Sequence, residues 1–569
     1  MKRLASLLLV ALVVIVGLWW LASDRQAPGT AELIATLRSE PGSLNRLLAV
    51  DRASLVVSQL LHEPLVRVHH VTQSLEPALA EAWTTLDEGR RVRLTLRSGA
   101  RFSDGSAITA DDVVFSLAAA YDPRVASPLV DSLTVDGAPL VARALDARTL
   151  ELTYPAPYGP GLRPLHALPI LPRSRYASLV TDGTLAAAWA LNAPADGMVG
   201  AGPFVLARHD PGVAIHLARN PHYWRVADEG TQLPRVGRLR LDIVPSQDAE
   251  MLRLREGQAD VITSELRADD LPEARALAAQ GRLQLFELGP ALEADMLWFN
   301  LRPPSPPRTG TRPPVDGRAW LRSRELREAI SHAVDRASFI NAVYRGAGVQ
   351  VSGMITPGNH RWHASAIAPR PYSLAMAGEL LDRVGVRDRN GDGVREDITN
   401  RPAQFTLLVQ QGHTVRRRAA LVLQDALARV GLRVEIASLD ARGLQERMAA
   451  GTYEAIYHAL PGSDTDPSGL MEFWLSSGRF HLWHPGQSTP ATPWEAELDR
   501  LMTRQLSMTD EAERQRTVGQ AQTLLDRELP VIVFAVPRVT IATSARLTHV
   551  APGLLAPQVL WNAAEIGTR

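Results

Sequence analysis

The sequence contains no cysteine. Disulfides, thiolate nucleophiles, zinc–thiolate sites and iron–sulfur clusters are thereby excluded, as is a lipid attached through an N-terminal cysteine. Lysine is almost as scarce: Lys2 is the only one, and arginine supplies the remaining positive charge. A Walker-type phosphate loop needs a lysine after its glycines, and Schiff-base chemistry needs a lysine amine. The body of the chain can build neither. Lys+Arg and Asp+Glu are both 61, so no bulk basic field is available to hold nucleic acid. GxSxG, HExxH and GxGxxG motifs are absent too. His62 and Glu63 are followed by Pro64, which breaks the helix a zinc protease would need.

What is present suits a soluble, multidomain globular protein. The 569 residues are 46% hydrophobic and 21% charged. The N-terminus carries an export signature. Lys2 and Arg3 precede an apolar run from Leu4 to Ala22, interrupted only by Ser6 and Gly17 and ended by Asp24 and Arg25. Residues 1–26 read as a signal peptide or an N-terminal membrane anchor. The run is longer than the core of most cleaved signals. Cutting after Ala22 would put Trp20 at a position that prefers a small residue, and Trp19 and Trp20 suit a membrane interface. These features favour a retained anchor, with the body facing outward in either case.

Beyond a short linker at 27–31, strand and helix signals alternate. Val92, Leu94 and Leu96 alternate with polar residues, predicting a half-buried strand. Asp104 and Gly105 mark a turn, and Thr109 with Asp112 forms a capping box at a helix start. Leu239, Leu241 and Ile243 predict a strand, and a helix follows from about Ser246 to Gly257. Ala420, Leu423, Leu427 and Val430 share a helical face, Gly431 ends that helix, and Leu432, Val434 and Ile436 alternate as the next strand. This succession implies α/β layers. The Pro/Arg-rich stretch 302–314 reads as a surface loop.

Several constellations could carry chemistry. Asp388, Asn390, Asp392 and Gly393 resemble the start of a calcium loop, but position 12 is Thr399 where a bidentate glutamate is needed. A plain Asp/Gly turn accounts for them better. His69 with His70, and His481 with His484, are pairs that 15 histidines produce by chance, and no metal or cofactor is expected. Gly200 and Gly202 before Pro203 suggest a tight turn or a chain crossing. Asp464 and Asp466 precede Pro467 just after an apolar stretch, Ala455 to Tyr457. Two readings remain open for them: carboxylates that bind an amine or perform acid/base work, or an Asx turn with a helix cap.

The ordered segments SEPGSLN (Ser39 to Asn45), EPALAEAW (Glu76 to Trp83), RSGARFSDGSAITADDVVFSL (Arg97 to Leu117), VGAGPF (Val199 to Phe204), NPHYW (Asn220 to Trp224) and REGQADV (Arg255 to Val261) resemble those of the family 5 extracellular solute-binding proteins. WFNL (Trp298 to Leu301), LREAISHAVDR (Leu326 to Arg336) and NGDGVRED (Asn390 to Asp397) extend the resemblance from about residue 32 to the end. The Arg97 to Leu117 stretch is its most specific part.

The resemblance implies an α/β, periplasmic-binding-protein-like type II fold: two lobes with a hinge and an inserted extra domain. It places lobe I at 32–290, with the insertion at roughly 65–195, lobe II at 291–495, and a C-terminal return to lobe I at 496–569. It implies a monomeric, exported, periplasmic or cell-surface binder, not an enzyme, that encloses a peptide and delivers it to an ABC permease served by a separate ATPase. Non-peptide solutes such as metal chelates, haem, sugars or opines are the alternative on the same scaffold; an exported hydrolase using Asp464 and Asp466, or a sensor, is the less favoured one. The family's amine-binding aspartate falls nearest Asp464 and Asp466, although their spacing departs from the common pattern. Trp298 and Trp362 are further substrate-binding candidates as cleft aromatics, and Asn300 and Glu40 are candidates by motif position.

Overall fold

The computed structural model describes residues 31–303, 318–460 and 464–569. The expected N-terminal signal or anchor and nearly all of the 302–314 loop lie outside these. Among the described residues no helix is long and apolar enough to cross a membrane.

Strand Glu32–Leu37 buries Leu33, Ala35 and Leu37. It pairs in parallel with Arg238–Ile243. Two antiparallel neighbours, Ala214–Arg219 and Phe204–Asp210, complete that side of the sheet. On the other side Val261 bridges Ala35 and Thr543, which links the sheet to the long antiparallel pair Leu283–Pro290 and Ala535–Ser544. The expected strand over Leu239 to Ile243 is thus a central one. The expected helix after it spans Gln247–Arg255, with Gly257 in the left-handed region behind it.

A second sheet has the order Arg433–Leu439, Gln404–Gln410, Ala455–Ala459, Asp295–Phe299, Val531–Val533. Helix Thr414–Ala428 buries Ala420, Leu423 and Leu427 against it. Gly431, at φ +78°, turns the chain into the next strand, since only glycine takes that conformation without steric cost.

The two sheets define two lobes, and the chain passes between them at residues 291–294 and again at Phe534. Val531–Val533 pairs with Met296, Leu297 and Trp298 of the second sheet. The intervening helices Pro493–Leu506 and Glu511–Glu528 carry no residue pattern that announces which lobe they serve.

A separate antiparallel sheet joins Ala80–Leu86, Arg91–Leu96, Thr149–Thr153 and Val141–Ala144 in that order. Val92, Leu94 and Leu96 are buried as their alternation predicts. Helix Ala110–Tyr121 opens with Asp112 accepting from both the N–H and the hydroxyl of Thr109, each at 2.8 Å.

The glycines before Pro203 mark a crossing. A Cβ at Gly202 would lie 2.4 Å from the carbonyl carbon of Leu61 and 2.6 Å from the nitrogen of His62; one at Gly200 would lie 2.2 Å from the oxygen of Leu61. These contacts are with backbone, which cannot rotate away. Gly202→Ala is expected to destabilise the protein by about 1–3 kcal/mol, as overpacking does. Denaturant titration checks this, and an unchanged midpoint would contradict the crossing.

Candidate solute-binding cleft

The first crossing, Leu292 to Ala294, forms the back of a cleft between the lobes. The turn after strand Gly348–Gln350 supplies Met354, Ile355 and Asn359; the end of strand Ala455–Ala459 leads to Leu460 and Asp464 to Pro467; helix Met471–Trp474 supplies Trp474; and the C-terminal segment supplies Leu555. The cleft contains about 640 Å³ of void continuous with solvent. Most of the lining is aliphatic.

The two aspartates flagged by the sequence lie here, and each is engaged by an arginine. The Arg163 Nε donates to both Asp464 carboxylate oxygens, at 2.7 and 2.9 Å, and its Nη2 donates to Oδ1 at 2.6 Å. Arg163 belongs to the 3₁₀ turn Arg163–His166, so the ion pair ties that turn to a segment 301 residues further along the chain. It also donates to the hydroxyl of Thr465 at 2.7 Å and to the carbonyl of Gln73 at 3.2 Å. Burial alone would raise the pKa of Asp464, but these bonds and the charge of Arg163 hold it below the ordinary value. Burial likewise opposes the charge on Arg163, and Asp464 outweighs it.

Asp466 is held by Arg514 through Nη1–Oδ2 at 2.7 Å and Nη2–Oδ1 at 2.5 Å, both side chains being 4% exposed. It also accepts from the Ser468 N–H at 2.9 Å, capping the turn Pro467–Leu470. The helix-cap role open to this residue in the sequence is thus present, together with an ion pair that spacing could not reveal.

Around this core further hydrogen bonds tie the cleft segments together. Gln73, at φ +58°, donates to the Gly358 carbonyl at 2.7 Å. Asn359 donates to the Thr465 carbonyl at 2.7 Å, and the Thr356 hydroxyl to the Ala291 carbonyl at 2.5 Å.

Comparison with known proteins settles the family. The model of the bacterial extracellular solute-binding proteins, family 5 Middle, matches residues 74–481. The chain belongs to this family. A similar relative is the probable D,D-dipeptide-binding periplasmic protein DdpA of Escherichia coli K12, 24% identical over 506 residues, covering 87% of this chain and 86% of the relative. Among solved structures, the oligopeptide-binding protein AppA of Bacillus subtilis in complex with a nonapeptide matches with a TM-score of 0.69 and 21% identity, over 95% of this chain and 100% of that one. NikA of Brucella suis in complex with Fe(III)-EDTA matches with a TM-score of 0.75 and 20% identity, again over 95% and 100%. The two-lobed, periplasmic-binding-protein-like fold expected from the sequence is the fold found.

In this family 5 protein the other four candidates sit elsewhere. Trp298 is fully buried, donates to the His458 carbonyl at 3.0 Å and stacks on Trp483 with ring centres 6.2 Å apart. Trp362 lies under the Arg514 guanidinium, 4.7 Å from its ring centre, one layer behind Asp466. Asn300 donates to the carbonyls of Gly451 and Tyr453, at 2.9 and 3.1 Å, and so ties down the strand end. Glu40 accepts from the Gly212 N–H at 3.1 Å and from His209 Nε2 at 2.6 Å, and these bonds lower its pKa.

The cleft aromatic is Trp474, which the motif comparison did not flag. Its signal was the run Phe473-Trp474 one turn beyond the Asp466-Pro467 cap. Arg163 and Asn359 carried no local signal.

Other constellations close on themselves. Asp388 accepts from the N–H groups of Gly391 and Gly393 at 2.7 and 3.0 Å, an Asp/Gly turn as expected. Carboxylate oxygens of Asp388, Asp392 and Glu396 lie within 4.8 Å of one another, close enough for a cation. His481 is buried 3.3 Å from Glu495, and His69 and His70 pack on Trp561.

Proposed function

We propose that the protein binds short peptides reversibly in the cleft between its lobes and delivers them to an ABC permease outside the cytoplasm. The observation that carries this is the cleft's position. It lies at the point where the chain passes between lobes, walled by the crossing, by segments of the second lobe and by Leu555 of the C-terminal segment, so that hinge motion would open or enclose a solute. Its aliphatic lining suits the apolar side chains of a peptide. DdpA is a probable D,D-dipeptide-binding protein and AppA was solved with a nonapeptide, which supports that solute class over the chelate in the NikA structure. The ATPase is a separate chain, since no Walker loop can form without lysine.

The protein acts as a binder, not a hydrolase. Asp464 and Asp466 are both engaged bidentately by arginines, so neither is placed to shuttle a proton. The functional unit is a monomer. The segment 1–26 tethers it to the membrane; a mature N-terminus near residue 23 would refute that tether.

Native mass spectrometry of the purified, undenatured protein tests the solute class. A mixed population of short peptides released from the cleft is the expected result. A single non-peptide species would overturn the peptide reading while leaving the binding scaffold intact.

A further inference from the structure

Two buried polar atoms in the cleft have no hydrogen-bond partner among the described residues. Asn359 is 8% exposed; its Nδ2 is committed to the Thr465 carbonyl, which fixes the orientation of the amide, and its Oδ1 is unpartnered. Trp474 is 0% exposed, and its indole Nε1–H is unpartnered. Both side chains line the cleft. Buried polar groups in native proteins are normally paired, so these two call for a ligand. One is an acceptor and the other a donor, the complement of an amide N–H and C=O.

The charged side of the same cleft is already satisfied. Asp464 lines it, and a carboxylate there would attract any cation. Arg163 meets that demand from within the chain through three bonds of 2.6 to 2.9 Å, at 8% and 11% side-chain exposure. Arg163 is anchored in turn by the carbonyl of Gln73, which itself holds Gly358. A ligand ammonium would have to displace a bidentate guanidinium that is fixed from behind.

We infer that the cleft selects a neutral amide and not a free amine: Asn359 and Trp474 hold the amide, and Arg163 is a specificity-determining residue that occupies Asp464 in place of a ligand ammonium. This rests on the peptide reading, and it means that peptides blocked at the amino end are accepted as well as free ones.

Isothermal titration calorimetry with trileucine and N-acetyl-trileucine tests it on the full chain. The wild type is expected to bind both with Kd values within about threefold of each other. Asn359→Ala and Trp474→Phe should each weaken both by about tenfold or more. Arg163→Met should favour trileucine by about tenfold or more, and Arg163→Met with Asp464→Asn should abolish that preference. Should Arg163→Met fail to fold, Asp464→Asn alone decides: the ratio of the two Kd values must stay at its wild-type value. An acetylation penalty of about tenfold in the wild type, unchanged in Arg163→Met, would overturn the selectivity while leaving peptide binding standing. Wild-type affinity in Asn359→Ala and Trp474→Phe would remove the amide site. Failure of both peptides to bind any of these proteins would overturn the peptide reading, and the selectivity with it.

Discussion

Replacing Arg514 by methionine is expected to destabilise the protein by about 3–5 kcal/mol, because it strands the Asp466 carboxylate in a buried position. The guanidinium makes two bonds to Asp466 and one to Gln505 at 2.7 Å, and it packs over the Trp362 ring. None of these groups has water to turn to, since Arg514 and Asp466 are both 4% exposed. The double variant Arg514→Met, Asp466→Asn removes both charges and should recover much of the loss. An exposed pair provides the contrast. Arg442 and Glu446 are 2.9 Å apart but 89% and 65% exposed, and breaking them should cost about 0–1 kcal/mol. Urea unfolding of the four proteins measures these differences. Equal effects at the buried and exposed pairs would contradict the role given to Arg514. A loosened Arg514 variant should also bind solute more weakly, since Asp466 caps the Pro467–Leu470 turn in the cleft wall.

Acid should weaken the fold well before most carboxylates titrate. Burial pushes His62 down to about 3, with Arg46 adding to the shift, and it pushes His70 down to about 3 despite the bond to the Leu555 carbonyl. His458 is lowered to about 4, first by burial and then by the charge of Arg416, against the opposing charge of Asp295. In each case the folded state holds the neutral ring, while the unfolded chain takes a proton near pH 6.5. Their contribution to stability is therefore complete above about pH 6.5 and is lost as the pH falls from there toward 4 and then 3. Each buried ring costs on the order of 1 kcal/mol per pH unit across that window. Below about pH 4 the depressed Asp464 carboxyl adds a loss of the same sign. Unfolding free energies should hold level from pH 7.5 to about 6.5 and then fall toward pH 4, and His70→Gln should flatten that slope. A flat profile over that range would contradict the burial of these rings.

Much of the scaffold was legible in the sequence because its signals are local. The alternation of Val92, Leu94 and Leu96, the Thr109–Asp112 cap and the glycine at 431 each act within a few residues, and each appears where expected. Gly200 and Gly202 announced a close approach, though not that the partner would be the Leu61–His62 backbone. The cleft was legible only in part. Asp464 and Asp466 line it, but their counter-ions come from residues 301 and 48 positions away, and no spacing rule reaches that far. Arg163 is one arginine among many, and Asn359 one polar residue in a loop. Trp298 and Trp362 were candidate cleft aromatics, yet tertiary packing buries both outside the cleft lining, which takes Trp474 instead. Strand Val531–Val533 is three apolar residues beside a longer strand, and only its pairing with Met296 to Trp298 assigns it to the second sheet.

Hydrogen–deuterium exchange with and without saturating peptide tests most directly whether solute is captured between the lobes. Added protection is expected at 291–296, 354–360, 466–475 and 553–556, the segments that line the cleft or flank its lining, with the outer strands 80–86 and 433–439 unchanged. Protection confined to other surfaces in a protein that demonstrably binds the peptide would contradict the account.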